Sequence, residues 1–211
     1  MIRALLLALT LVASTALAAS PEPTESIRPD DPFWHELATR VAQQRATMVS
    51  FSERRWFRFR KEPVLLTGEA RISAEHGLSL HYRTPEPRTV IMDRSGLLIR
   101  DREGENVTPT GDPRATAINE AMLHILRLDF SALAKDFVVL GAHAGDEWAI
   151  ALTPRAPELR QAIGHISVTG IRAAVTHIEL RHSAKQRVEI DLSQPLPVPL
   201  FSVDDIKHYF R

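Results

Sequence analysis

The ten residues VLLTGEARIS, Val64 to Ser73, alternate strictly. Val64, Leu66, Gly68, Ala70 and Ile72 fall on one side of an extended strand, and Leu65, Thr67, Glu69, Arg71 and Ser73 on the other. Successive side chains of a strand point to opposite faces, so this period of two predicts one apolar and one solvated face. The same period recurs nearby. Segments 49–60, 78–83, 88–93 and 97–101 read as strands joined at KEP, AEHG, TPEP and RSG, and connections this short predict an antiparallel meander. A second group of strands is predicted at 137–142, 147–153, 161–169, 174–182 and 186–192. There Trp148, Ile150 and Leu152, then Val188, Ile190 and Leu192, alternate with polar neighbours.

Helical spacing interrupts the strands twice. DPFWHELATRVAQQRATM predicts a helix with Asp31 as N-cap, Pro32 in the first turn and a stripe of Phe33, Trp34, Leu37, Val41 and Met48. A second helix is predicted from about Asp112 to Leu128, with Ala115, Ile118, Met122 and Ile125 as its stripe, and SALAKDF reads as a further turn. In QPLPVPL three prolines oppose ordinary ladder pairing, and in SVDDIKHYF the pair Ser202 and Asp205 resembles a capping box. The fold class expected is mainly β (α+β). About ten antiparallel strands make a sheet too large to stay flat, so it should curl, with the helices over its apolar concave face. A curled sheet capped in this way can enclose a cavity.

The chain opens MIRALLLALTLVASTALAAS. Arg3, an uncharged apolar run to Leu17 and the small residues Ala16 and Ala18 have the form of a cleaved secretory signal, residues 1–18. The run is shorter than the ~20 residues of a spanning helix. Export to the periplasm is therefore expected, followed by a mobile spacer over 19–30 (ASPEPTESIRPD is rich in proline and charge) and one domain over 31–211. The chain has no cysteine, which leaves no disulfide framework and no acylated cysteine behind the signal. With 26 basic and 26 acidic residues it has no concentrated positive excess, so nucleic acid is not the expected partner. The locally basic SERRWFRFRK reads as an amphipathic strand.

Chemistry-bearing motifs are scarce. The nine histidines (35, 76, 81, 124, 143, 165, 177, 182 and 208) form no H-x-H or H-E-x-x-H pair, so no metal site is expected, and His81, His177 and His182 are assigned to solvated strand faces. No G-x-S-x-G, S-x-x-K or Walker loop occurs, and Ser95 in RSG is a turn residue. The carboxylate pairs Asp30-Asp31 and Asp204-Asp205 are adjacent and sit at helix starts, where negative charge is favoured. NVT at Asn106 matches a glycosylation sequon. No enzyme activity and no cofactor are expected. One constellation is odd: along Val49, Phe51, Glu53, Arg55, Phe57 and Phe59 two charges interrupt an apolar face. Either a bulge or strand break near Arg54-Arg55 returns Glu53 and Arg55 to water, or they lie inside an apolar cavity, hydrogen-bonded, as a polar latch or a partner for a headgroup.

The order and spacing of these segments resemble the LolA family, periplasmic carriers of outer-membrane lipoproteins. The resemblance rests on Phe51 with Glu53, then Gly68-Glu69-Ala70-Arg71-Ile72, Pro85, and Asp93 before RSG. It continues through GDEWAIALTPR, ending in Leu152-Thr153-Pro154, and the paired strands from Ile163 to Leu192. It implies an incomplete β-barrel lidded by helices, with an apolar cavity for acyl chains. Exposing a ~16-carbon chain to water costs on the order of 10 kcal/mol, which is the reason such cargo needs shelter. The lining this implies is Phe51, Phe57, Leu66, Ala70, Ile72, Leu78, Leu80, Val90 and Met92 from the sheet, with Leu37, Val41, Ile118, Met122 and Ile125 from the helices. The partners it implies are an acylated lipoprotein or other lipid cargo, an inner-membrane donor complex and an outer-membrane acceptor, with the chain itself monomeric. One departure stands out: the family's arginine at the end of the glycine strand, which bonds the lid helices, is replaced by Ala74 in SAEHG. A second reading of the same fold is a non-enzymatic accessory or scaffolding module of an envelope assembly system, with a filled interior and an exposed apolar patch.

Overall fold

The alternating stretch 64–73 is a central strand of one large antiparallel sheet. The computed structural model describes residues 21–28, 30–107 and 113–211. Its strands are β1 (Glu25–Ser26), β2 (Ala46–Trp56), β3 (Val64–Ser73), β4 (Gly77–Thr84), β5 (Arg88–Asp93), β6 (Gly96–Asp101), β7 (Gly104–Val107), β8 (Phe137–Ala144), β9 (Glu147–Pro154), β10 (His165–Ile171), β11 (Ala174–Ser183), β12 (Gln186–Leu192) and β13 (Leu196–Pro197). Its helices are α1 (Pro32–Ala42), α2 (Pro113–Arg127), α3 (Phe130–Asp136), α4 (Pro157–Ile163) and α5 (Val203–Tyr209).

Two meanders, β2 to β7 and β8 to β12, meet at a single seam where β12 runs antiparallel to β2, Val188 opposite Arg55 and Ile190 opposite Glu53. β1 extends one edge on β8, and β13 pairs with β2 beside the main path. Among the described residues the edge strands β1 and β7 do not pair with each other, so the sheet curls without closing.

The even-numbered side of β3 faces the concave interior. Leu66, Ala70, Leu78 of β4 and Val49 and Phe51 of β2 are buried there, in one cluster with Leu37 of α1 and Ala121, Met122 and Ile125 of α2, while Trp34 of α1 packs edge-on to Phe130 of α3 and beside Gly141 of β8. Fully burying each large apolar side chain is worth roughly 1.5–3 kcal/mol, so this layer holds helices and sheet together. Asn119 of α2 donates to the Asp93 carbonyl at 3.0 Å and fixes the helix over the end of β5. Gly68 is required where it stands: a Cβ there would lie 2.3 Å from the His81 carbonyl oxygen and 2.8 Å from the Phe51 ring. The Phe51 ring occupies that gap, edge-on to Tyr82 at 5.1 Å.

The odd-numbered side is only partly solvated, contrary to the expectation from alternation. Leu65 and Thr67 are exposed, but Arg71 and Ser73 are buried. The covering element is α5, started by the expected Ser202–Asp205 capping box. Arg71 stacks on Tyr209 at 3.5 Å, and Ser79, Ile91, Leu98 and Phe210 are buried on this convex side, apart from the main core. His81, expected on a solvated face, is half-buried, hydrogen-bonded to Thr89 and 5.5 Å from the Tyr209 ring.

Other boundaries differ from expectation. α1 has its Asp31 cap, whose side chain accepts from the Phe33 N–H at 2.9 Å, but it ends at Ala42, and Met48 lies in β2. The β-branched and aromatic run Thr47-Met48-Val49-Ser50-Phe51 prefers the pleated sheet. β2 ends at Trp56, which leaves Phe57 and Phe59 in the connection to β3. Residues 157–163, partly assigned to a strand, form α4 with Pro157 in its first turn, and β7 was not foreseen. Leu196 and Pro197 do pair, with Met48 and Thr47, despite the surrounding prolines. Within the stretch 19–30, Glu25 and Ser26 pair with β8, and the Ile27 N–H donates to the Val139 carbonyl at 3.2 Å. The signal-like segment 1–18 and the N-cap expected at Asp112 lie outside the described residues.

Candidate functional site: two clefts on the concave face

The concave face is packed solid in its middle and open towards both ends. Of the residues expected to line a cavity, Leu37, Phe51, Leu66, Ala70, Leu78, Val90 and Ile125 are core, each no more than 9% exposed, and border neither opening. One opening, of about 220 Å³, lies where β2 and β11 begin and β3 and β12 end. Val41, Val49, Ile72, Leu126, Val175 and Leu192 line it, with Gln44, Thr47 and Arg127 at its edge. The other, of about 370 Å³, lies where β2 ends, between the sheet and the N-terminal half of α2. Its apolar wall includes Phe57, Leu80, Met92, Ile118 and Met122, the five remaining expected residues apart from Val41 and Ile72. Ile163, Leu180, Val188 and Ile190 complete it from the second half of the sheet. Depressions of about 430 and 470 Å³ also occur beside α2 and between α1 and α3. Their lining includes Asp93, Arg94 and Glu120 in one and Arg127 and Asp129 in the other, so they are more polar surfaces.

The larger concave cleft carries the charged pair. β2 has no bulge at this point: Glu53 and Arg55 stay in continuous register with Leu66 and Val64 on one side and Ile190 and Val188 on the other. The bulge alternative is therefore wrong, and regular alternation turns both side chains inward. Glu53 is 2% exposed and Arg55 32%. Glu53 accepts from Arg55 Nε and, at 2.7 Å, from the Tyr82 hydroxyl, which in turn accepts from the Arg55 guanidinium at 3.2 Å. Burial, then the Glu53 charge, push the Tyr82 hydroxyl well above the ordinary tyrosine range. Burial opposes charge on Arg55, but the bond to Glu53 and its charge outweigh this and keep the guanidinium firmly protonated. Each group satisfies the others, which makes two charges tolerable in an apolar wall.

Among the described residues the hydrogen bonds of this cluster tie β2 to β4 within the sheet. The bond from helix to strand end is made elsewhere. Arg127, at the end of α2, donates to the Ala74 carbonyl at 2.8 Å. The strand end, where the resemblance led to the expectation of an arginine, instead supplies a carbonyl acceptor to an arginine on the helix.

Sequence reading missed Tyr82 and the contribution of β11 and β12. Tyr82 shares its strand face with Leu78 and Leu80, so parity alone would have placed it; the seam that brings in Ile190 is non-local. Among the described residues no group of three or more His, Asp or Glu is placed to hold a metal ion, and no helix is long and apolar enough to cross a membrane.

The architecture, a curled but unclosed antiparallel sheet lidded by helices, is the LolA-like fold. At the end of β3 this chain carries Ala74, and the arginine that bonds that strand end is Arg127 on α2. No family model and no curated protein matches the chain. Among solved structures it is similar to MucA/MucB from Pseudomonas aeruginosa, 13% identical, with a TM-score of 0.46 over 82% of this chain and 59% of that one. It is also similar to a DUF1329-family protein from Desulfovibrio piger, 10% identical, TM-score 0.45. A LolA-superfamily protein from Nitrosomonas europaea is 9% identical, TM-score 0.43. Each of these two matches covers 82% of this chain and 95% of the other.

Proposed function

We propose that the chain is an exported, periplasmic carrier that shelters an acyl chain of a lipoprotein or other lipidated molecule in the larger concave cleft. The observation that carries this reading is the half-open apolar trough of about 370 Å³ with the Glu53–Arg55–Tyr82 cluster in its wall. That volume lies within the range of small-molecule pockets, and the combination of mostly apolar lining with a few fixed polar groups is what orients a ligand with one apolar and one polar end. A donor at the inner membrane and an acceptor at the outer membrane follow as partners of such a carrier. The solid middle of the concave face supports the second reading, an accessory module whose interior stays filled.

Two measurements separate them. Mass spectrometry of lipids copurifying from the native periplasm finds acylated species in near-stoichiometric amount if the chain is a carrier. A fluorescent long-chain acyl probe binds, and Met122→Trp, which fills the larger cleft, weakens it at least about tenfold, the effect of losing roughly 1.4 kcal/mol of contact. Leu126→Trp, in the smaller opening, leaves probe affinity unchanged. A protein that is lipid-free as isolated and ignores the probe sinks the carrier reading and leaves the accessory one.

A further inference from the structure

The connection between β2 and β3, residues 57–63, brings exposed rings and exposed cations together in one short segment. Phe59 is 84% exposed and stacks on Phe57 at 5.5 Å, and Leu65, just beyond, is 65% exposed. Arg58, Arg60 and Lys61 alternate with and follow these rings, all exposed, and make no ion pair or hydrogen bond among the described residues through their side chains. Glu62 is the single acidic residue of the connection. A few residues away, the seam treats its cations differently: Arg54 pairs with Glu189 and Asp191 at 2.8 and 2.9 Å, and Arg187 with Glu189 at 2.6 Å while covering Trp56. The seam neutralises Arg54 and Arg187, and the connection leaves its own cations without ion pairs among the described residues.

We propose that this connection docks the protein onto an anionic phospholipid surface, with Phe59 and Leu65 entering the interface and Arg58, Arg60 and Lys61 meeting the headgroups. Unpaired cations complement negative headgroups, and aromatic rings settle at the boundary between headgroups and acyl chains. A protruding ring flanked by cations suits a bilayer, which yields to it, whereas a protein partner would have to supply a fitted pocket. The proposal rests on the carrier reading for its purpose. Phe57 belongs both to the connection and to the wall of the larger cleft, so docking brings the cleft to the lipid from which an acyl chain would enter.

The test is cosedimentation of the protein, as recovered from its host, with vesicles of phosphatidylcholine alone or with one third phosphatidylglycerol. Binding to the anionic vesicles is expected to be stronger and to fall as salt is raised. Each cation removed in the series Arg58→Gln, Arg60→Gln and Lys61→Gln lowers affinity by about fivefold. Phe59→Ser lowers it on the order of tenfold or more, while Val203→Ser, at an exposed site on α5, does not change it. Equal binding to both vesicle types, or Phe59→Ser binding like the parent, overturns the proposal and points instead to an acidic protein partner. Acyl-probe binding in the absence of vesicles is measured on the same variants. Its loss in the parent would overturn the carrier reading while leaving docking standing, and its retention in Phe59→Ser confirms that the variant is folded.

Discussion

The two openings of the concave face share β2, β11 and β12 and are finished differently. At the end near Val41 and Ile72 the wall is apolar, its polar edge is formed by Gln44 and Thr47, and a helix-end arginine bonds a strand-end carbonyl. At the other end an apolar wall of similar kind contains a buried carboxyl group, a guanidinium and a phenol bonded to one another. Buried ion pairs seldom add stability over an apolar core of equal volume. The asymmetry fits the proposed use of the charged-cluster end as the binding site, with the end beside Val41 and Ile72 held by ordinary packing and the Arg127 bond.

Removing half of the pair should have the largest effect. Glu53→Ala leaves Arg55 partly buried without its partner and is expected to lower unfolding free energy by about 3 kcal/mol, read from urea denaturation. If the cluster serves binding, Glu53→Leu combined with Arg55→Leu recovers most of that stability but alters which acylated species copurify. A double variant as unstable as the single one would mean that the cluster is needed for folding. Next in size, Tyr82→Phe loses hydrogen bonds to charged partners and should cost about 2 kcal/mol. It also changes the alkaline limb of the stability profile. The native state holds the Tyr82 proton while the unfolded chain releases it above pH ~10, so stability is complete below that pH and falls above it. The fall should be shallower in the phenylalanine variant, measured by thermal unfolding between pH 8 and pH 11. The smallest effect is expected at the end beside Val41 and Ile72: Arg127→Ala removes one exposed bond to Ala74, about 0.5–1 kcal/mol. Faster amide exchange confined to the last turn of α2 would show that this bond holds the helix end down. No change would show that it does not.

Much of this was legible because most concave strands have one solvated and one buried face. Leu66, Ala70, Leu78 and Leu80 were placed by parity, and Asp31 and Ser202 by their capping geometry. Parity failed where both faces are buried. The run Val90-Ile91-Met92, with every residue buried, carried that signal as an unbroken apolar stretch, but nothing local revealed that α5 was the cover. For the same reason Arg71 read as solvated: its partner, Tyr209, lies 138 positions away in the chain. The lining was half legible. Residues of the cavity and residues of the core share one apolar face, and only the three-dimensional position of α2 decides that Met122 borders a void while Ile125, one turn on, is sealed.

The seam between β12 and β2 has a consequence for how the molecule is made. Each meander is assembled from neighbouring hairpins, which form quickly, but β2 meets β12 only after a loop of more than a hundred residues closes, a slow and entropically costly event. Glu53 and Arg55 lie on one side of that seam and Val188 and Ile190 on the other. The larger cleft therefore does not exist in a half-folded chain, and occupancy of the cleft by a ligand would report completion of folding.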